Sequence, residues 1–316
     1  MRHGAGTPGN PWRSLCANCC CTWDSSGTLF RVTREIRCGR AVRASTDQPV
    51  TPPPIALRGV TKYFKTPEGG TREVLRETDF TVEPGAFTAV IGPTGCGKST
   101  TLSMICGTER PTTGEVFVDG RHVDGIGENV GFVFQNDAVF PWKTVLGNVA
   151  AGPRFRGMAR KDAQAEAAEW VRRVGLSGFE RYHPAQLSGG MRKRVALAQT
   201  LINRPRVLLM DEPFAGLDVQ TRQIMSDELL TLWELTRPTV VFVTHDLEEA
   251  IALADKVVVM TAGPATVKEE FVIDLPRPRR VREIRHEQEF VKLHERIWES
   301  LRDEVHAAYD RSMSVA

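Results

Sequence analysis

The chain has 316 residues, 41% hydrophobic and 25% charged, with 41 basic against 39 acidic side chains; at about 150 residues per domain this predicts one or two domains, large enough to need no disulfide or structural metal. The composition excludes a collagen, a wholly disordered chain and a protein built to coat nucleic acid. The longest apolar run, Ala250 to Ala254, falls far short of the roughly 18–20 residues that cross a bilayer, so no membrane span is expected.

Charge and cysteine are unevenly spread. The first 50 residues hold seven Arg against three acids, and five of the seven cysteines: Cys16, Cys19, Cys20, Cys21 and Cys38. Cys16-x-x-Cys19 has metal-ligand spacing, but no second pair completes a site. No apolar segment of the kind a signal peptide needs precedes the cluster. Residues 44–54, ASTDQPVTPPP, read as a Pro-rich linker, so 1–54 is expected to be a disordered extension and linker. Ile55–Val60 and Thr78–Val82 read as short strands around the turn signal Glu68-Gly-Gly70. Phe87–Ile91, Val207–Met210, Val240–Val243 and Val257–Met260 are continuous apolar runs of the buried parallel type. Residues 158–174 and 191–203 read as helices, and 283–304 as an amphipathic helix with Ile284, Phe290, Leu293, Ile297 and Leu301 on its apolar face.

Gly92-Pro93-Thr94-Gly95-Cys96-Gly97-Lys98-Ser99 fits G-x-x-x-x-G-K-[ST], after a strand and before a helix that runs on through Thr100. Glycines there let backbone N–H groups wrap a phosphate, and the helix N-terminus faces the same charge. Lys98 is placed to neutralise β- and γ-phosphates, and Ser99 to offer its hydroxyl to Mg2+. Such a loop needs a carboxylate at the end of a buried strand, and Val207-Leu-Leu-Met-Asp211-Glu212 supplies two. Asp211 suits Mg2+, and Glu212, one residue on, suits the general base that activates water. The pair implies nucleoside triphosphate hydrolysis. Between them, Leu187-Ser188-Gly189-Gly190-Met191 opens another helix with an anion-binding N-terminus. A second phosphate site on one chain makes sense if it serves a nucleotide held by another copy.

At this point the sequence resembles the ATP-binding cassette (ABC) ATPases, whose signature motif is LSGGQ. The resemblance covers roughly residues 55–260. It implies an α/β fold, a P-loop cassette with a RecA-like mixed sheet core, an antiparallel β subdomain and a helical signature subdomain at about 136–203. The ATPase domain would span 55–275, followed by a C-terminal helical extension at 276–316. The cofactors it implies are ATP and Mg2+. Tyr63 lies where that family stacks an aromatic on adenine. Gln135 matches the glutamine that approaches Mg2+ and the attacking water, Asp218 the loop that crosses the dimer interface, and His245 the histidine that contacts the γ-phosphate. Ser188, Gly189 and Gly190 would complete the site of the opposite copy in a head-to-tail homodimer. Met191 stands where the signature usually has Gln, and Cys106-Gly-Thr where Ala-Gly-Leu is commoner.

The segments Phe140-Pro-Trp142 and Asp211-Glu-Pro-Phe-Ala-Gly-Leu-Asp218, with the tail Leu275-Pro-Arg-Pro-Arg279, are similar to the nitrate, sulfonate and taurine importer ATPases. That resemblance implies a motor subunit peripheral to the cytoplasmic face of the membrane, partnered by integral permease subunits and indirectly by an extracellular or periplasmic solute-binding protein, with no nucleic acid. The alternative, a soluble ABC ATPase acting on nucleic acid or ribosomes, is disfavoured because only 113 residues separate Lys98 from Asp211. That leaves no room for the long insertions of repair members, and the chain carries one cassette where ribosome-acting members carry two.

Overall fold

The computed structural model describes residues 21–23, 29–31, 54–67 and 69–315. The Cys16-x-x-Cys19 pair and most of the expected extension lie outside the described residues. The chain divides into two compact units, Met1–Pro49 and Val50–Ala316. In the first, β1 (Cys21–Trp23) pairs antiparallel with β2 (Leu29–Arg31), Cys21 opposite Arg31. These segments are rich in Thr, Trp, Leu and Phe, which favour strands, a local signal absent from the sequence reading of 1–54 as an extension.

The second unit opens with an antiparallel hairpin of β3 (Ile55–Lys65) and β4 (Thr71–Val82), then β5 (Phe87–Ile91) and α1 (Lys98–Cys106). Strands β6 (Thr113–Val118), β7 (Arg121–His122) and β8 (Val130–Val133) follow. Next come short helices α2 (Val145–Val149) and α3 (Ala151–Phe155), α4 (Arg160–Arg173), a 3-10 turn at Pro184–Gln186, and α5 (Gly189–Leu201). The rest alternates: β9 (Val207–Asp211), α6 (Val219–Thr236), β10 (Thr239–Val243), α7 (Leu247–Leu253), β11 (Lys256–Met260), β12 (Val267–Val272), α8 (Val281–Ile284) and α9 (Gln288–Val315). A four-stranded sheet has the order β4-β3-β6-β7, and a six-stranded sheet the order β12-β11-β5-β10-β9-β8. In the larger sheet only β12 is antiparallel to its neighbour.

The apolar runs are buried on both faces of that sheet. Phe87, Ala89, Leu208, Met210, Val240, Phe242, Val257 and Val259 belong to one core, with α4 to α7 and α9. The alternate residues Val90, Val207, Leu209, Val241, Val243 and Val258 belong to the other, with α1 and the antiparallel sheet. This period of two with both faces apolar is what a covered parallel strand demands. Predicted strands 55–60 and 78–82 prove to be the buried ends of longer ones, because the outer parts of β3 and β4 are largely exposed and carry little apolar signal. The tail helix starts later than predicted and runs further, after the separate turn α8. Phe290, Leu293, Ile297 and Leu301 bury its apolar face.

Two buried polar side chains fasten the periphery. Asn148 is fully buried; its Oδ1 accepts from Phe140 N (2.6 Å), and its Nδ2 donates to the carbonyls of Phe140, Lys143 and Thr144 (3.0–3.1 Å). Arg279, whose pKa burial pushes down to about 10, donates to the carbonyls of Ala254 (2.6 Å) and Leu275 (2.9 Å), joining the tail to the C-terminus of α7, the helix end that favours a cation. Asn148→Leu should destabilise the protein by about 2–4 kcal/mol, because it orphans a buried amide and several carbonyls. Urea unfolding checks this, and a loss below about 0.5 kcal/mol would contradict it.

Candidate functional site

Five parallel strands end at one edge of the large sheet, and four of them deliver polar side chains there, as open α/β sheets do at their carboxyl ends. β5 runs into Gly92–Gly97 and α1, while β9 ends in Asp211 and Glu212. Beyond β10 lie Thr244 and His245, beyond β8 lies Gln135, and beyond β11 the turn through Gly263.

The glycine loop is shaped by sterics. Gly97 caps α1 at φ 107°, and a Cβ there would come within 2.9 Å of Leu75 and 3.0 Å of Val74, so only glycine closes the loop against β4. Lys98 is buried, and its Nζ donates to the carbonyls of Gly92 (2.8 Å) and Pro93 (2.9 Å), with the Cys96 thiol 3.9 Å away. Among the described residues no carboxylate pairs with it. A desolvated ammonium facing only neutral dipoles at a helix N-terminus is set up for an anion. Burial raises the pKa of Cys96, which keeps the thiol neutral and leaves the positive charge uncompensated.

Beside the loop, Ser99 Oγ donates to Asp211 Oδ1 (3.1 Å). Burial is the main cause that raises the Asp211 pKa, with the nearby Glu212 adding to it. A half-buried carboxylate meeting only a hydroxyl has acceptor capacity to spare. Such a carboxylate beside a hydroxyl offers oxygen ligands that could take part in holding a hard divalent cation together with phosphate oxygens and water. Among the described residues no group of three or more His, Cys, Asp or Glu is arranged to hold a metal ion.

Glu212 occupies the left-handed region at φ 44°, costly for a non-glycine residue. Its N–H donates to Val243 O (2.9 Å), which fixes the strained turn leaving β9 to the end of the neighbouring β10. Its carboxylate gathers two sequence-predicted partners. Gln135 Nε2 donates to Glu212 Oε2 (3.3 Å), and His245 Nδ1 lies 3.2 Å from the same oxygen. Gln135, Glu212 and His245 thus form one cluster, and Lys98, Ser99 and Asp211 its neighbour.

The other predicted residues stand apart. Tyr63 is exposed, and its hydroxyl donates to Glu73 Oε1 (3.0 Å). That bond, which stabilises the neutral phenol, raises the Tyr63 pKa. Glu73 borders a cavity of about 690 Å³ against Pro93, Thr94 and Gly95. Ser188 caps α5 by accepting from Met191 N (3.3 Å), with Gly189 and Gly190 in the first turn; it takes no part in the hydrogen bonds around Glu212. Asp218 caps α6 by accepting from Thr221 N (2.9 Å), which lowers its pKa.

Sequence reasoning missed the groups that hold the cluster in place. Asp137 receives Arg192 (3.1 Å) and Lys193 (3.2 Å) from α5, and Lys193 also donates to the Gln135 carbonyl. Glu249 lies buried behind His245. The basic run Arg192-Lys193-Arg194 was visible as a signal; its partners were not, because the pairs span 20 to 60 residues of chain.

The profile of the ABC transporter family matches residues 75–215. The aliphatic sulfonates import ATP-binding protein SsuB of Bacillus cereus is 42% identical over 225 residues, covering 71% of this chain and 88% of the relative. The nitrate import ATP-binding protein NrtD of Synechocystis is 40% identical over 238 residues, 74% of this chain and 90% of the relative. The chain belongs to the ABC transporter ATP-binding family. A dimeric ATP-binding cassette in a post-hydrolysis state bound to ADP and Pi superposes with a TM-score of 0.63 at 31% identity, over 70% of this chain and 100% of that one. The ABC fold and ATPase class implied by the motifs' resemblance therefore hold. No helix among the described residues is long and apolar enough to cross a membrane.

Glu249 gives this cassette a pH signature. Burial is the first cause of its raised pKa, about 7 against an ordinary 4.5. The folded state therefore holds its proton more tightly than the unfolded one, and stability falls as pH rises from about 4.5 through 7. Glu249→Gln removes that cost only where the carboxylate is ionised. The variant should gain roughly 1–3 kcal/mol relative to wild type at pH 8 compared with pH 5, read from unfolding at both values; an equal effect at the two would contradict it.

Proposed function

We propose that this chain is the ATP-hydrolysing motor subunit of an ABC importer that takes up a small solute, an anion such as nitrate or a sulfonate, or taurine, through a separate permease. One observation carries the hydrolytic part: at a single sheet edge, a buried unpaired ammonium, a hydroxyl–carboxylate pair and a second carboxylate held by an amide and an imidazole lie side by side. Lys98 and the amides of Gly92 to Thr100 bind the phosphates. Ser99, Asp211 and Gln135 would hold Mg2+, which when bound neutralises phosphate charge. Glu212 accepts the proton of the attacking water, and Gln135 and His245 fix its carboxylate. Catalysis of this kind is mostly positioning and electrostatics. Ser188, Gly189, Gly190 and Asp218 stay outside the cluster in a single copy, which supports a homodimer in which each signature closes the other copy's site. Tyr63 remains the adenine-stacking candidate.

The transport part rests on the relatives' names and on a surface. Phe134, Trp142 and Phe155 are more than half exposed, and the first two lie close to Gln135 in sequence. Phe140 packs against Trp142 (5.6 Å between centroids) and Phe155 (6.4 Å). Clustered exposed aromatics of this kind suit a docking site, here for a helix of the permease, and support the reading of a subunit peripheral to the cytoplasmic face of the membrane. The permease and a solute-binding protein would select the solute.

Glu212→Gln should bind a fluorescent ATP analogue normally and hydrolyse ATP at least about 100-fold more slowly, whereas Lys98→Ala should lose binding. Near-normal turnover in the first, or unchanged affinity in the second, would remove the residue from its role. The tagged full chain should copurify from native membranes with a polytopic permease, and Phe155→Glu should abolish this without changing ATP affinity. Recovery only in the soluble fraction with nucleic acid or ribosomes would overturn the transport reading and leave the ATPase standing.

A further inference from the structure

His245 is exposed, and among the described residues its imidazole makes one polar contact, the 3.2 Å approach to Glu212. A ring held so lightly takes its position from its backbone, and that backbone is pinned on both sides. Before it, Thr244 Oγ1 donates to Glu249 Oε2 (2.8 Å) and accepts from Asp246 N (3.0 Å). After it, Asp246 Oδ1 accepts from Glu248 N (2.9 Å) and Glu249 N (3.2 Å), capping α7. Arg222, in the first turn of α6, meets both anchors. Its Nη1 donates to Asp246 Oδ2 (2.8 Å), and its Nε lies 3.4 Å from Glu249 Oε1. The same guanidinium reaches backward, Nη2 donating to Leu217 O (3.2 Å) in the loop Gly216–Asp218. A cavity of about 40 Å³, roomy enough for water, joins Arg222 and Glu249 to Glu212 and His245.

We propose that Arg222 and Glu249 are positioning residues for hydrolysis: they hold the Thr244–Asp246 turn so that His245 meets Glu212, and they tie that turn to the loop Gly216–Asp218. The inference rests on the reading of Glu212 and His245 as hydrolytic groups. The network is suited to adjustment. Arg222 Nε is buried without a hydrogen bond, and its separation from Glu249 is longer than a charge-assisted bond. A small shift of the Leu217 carbonyl could draw the guanidinium onto Glu249 and move the turn that carries His245. Burial keeps these contacts strong and makes a half-made one costly, so the pair favours discrete arrangements. The raised pKa of Glu249 agrees with a carboxylate whose partner is not fully engaged.

The test uses the full chain and compares Arg222→Met, Arg222→Lys and Glu249→Gln with Glu212→Gln and His245→Ala. Fluorescent-nucleotide affinity, kcat, KM and thermal unfolding are measured for each. Arg222→Met and Glu249→Gln should bind nucleotide within about twofold of wild type, keep KM, and lose roughly 10- to 100-fold in kcat. Arg222→Lys should recover part of the loss, since an ammonium can serve Asp246 but cannot span all three partners. The double variant should be no slower than the slower single one, because the two act as a unit. Unchanged kcat in Arg222→Met and Glu249→Gln, with Glu212→Gln inactive, overturns this proposal alone. Falls in affinity, kcat and melting temperature together mark ordinary packing and overturn it too. Wild-type rates in Glu212→Gln and His245→Ala overturn the reading of the site itself.

Discussion

The parallel pairing of five strands, four of them buried on both faces, is the constraint on which the molecule depends. A strand covered on both sides can carry no charge along its length, and parallel neighbours all finish at the same edge. Polar residues are therefore displaced to the ends of the strands or just beyond them, and at that edge an ammonium, two carboxylates, an amide and an imidazole meet. Lys98, Asp211, Glu212, His245 and Gln135 come from four strands and span more than a hundred residues of sequence, yet each needs only its strand's register to arrive. Packing and chemistry share a cause, since the residues that fill the core set where the strands stop.

Charge at this edge is incompletely answered. Lys98 is turned inward onto two carbonyls, Asp211 faces a hydroxyl, and Glu249 is buried in loose contact with Arg222. A fold selected for stability alone would pair such groups or replace them, because a desolvated charge without a full partner is costly. The left-handed backbone at Glu212 adds strain at the same spot. These costs fall where a triphosphate and its cation would repay them, so binding and rigidity of the site should be coupled.

What the sequence could show follows from this arrangement. The glycine loop, the apolar runs and the terminal acids are contiguous, and Asp211, Glu212 and Lys98 were readable because their chemistry is compressed into motifs. Gln135 and His245 lack such local context and were legible only by resemblance. The exposed outer parts of β3 and β4, and the five-residue helices α2 and α3, carry too little periodicity to announce themselves. Asp137, Arg222 and Glu249 were invisible for another reason. Each is one acid or base among many, and its role arises only when α5 or α6 is laid against a loop that is distant in the chain.

These missed residues complete the logic of the site, because Glu212 is held from two sides by different bodies. On one side Gln135 belongs to a segment clamped through Asp137 to Lys193 and Arg192 of α5, the helix that begins with Ser188 and packs near the aromatic patch. On the other, His245 belongs to a turn clamped through Glu249 and Asp246 to Arg222, beside the loop that ends at Asp218. The first clamp ties the Gln135 contact to α5, and the second ties the His245 contact to the Gly216–Asp218 loop. A carboxylate whose two hydrogen-bonding partners are governed by separate elements is correctly oriented only when both elements are in place. The orientation of Glu212 thus depends on two contacts, Gln135 on one side and His245 on the other, each set by residues distant in the chain.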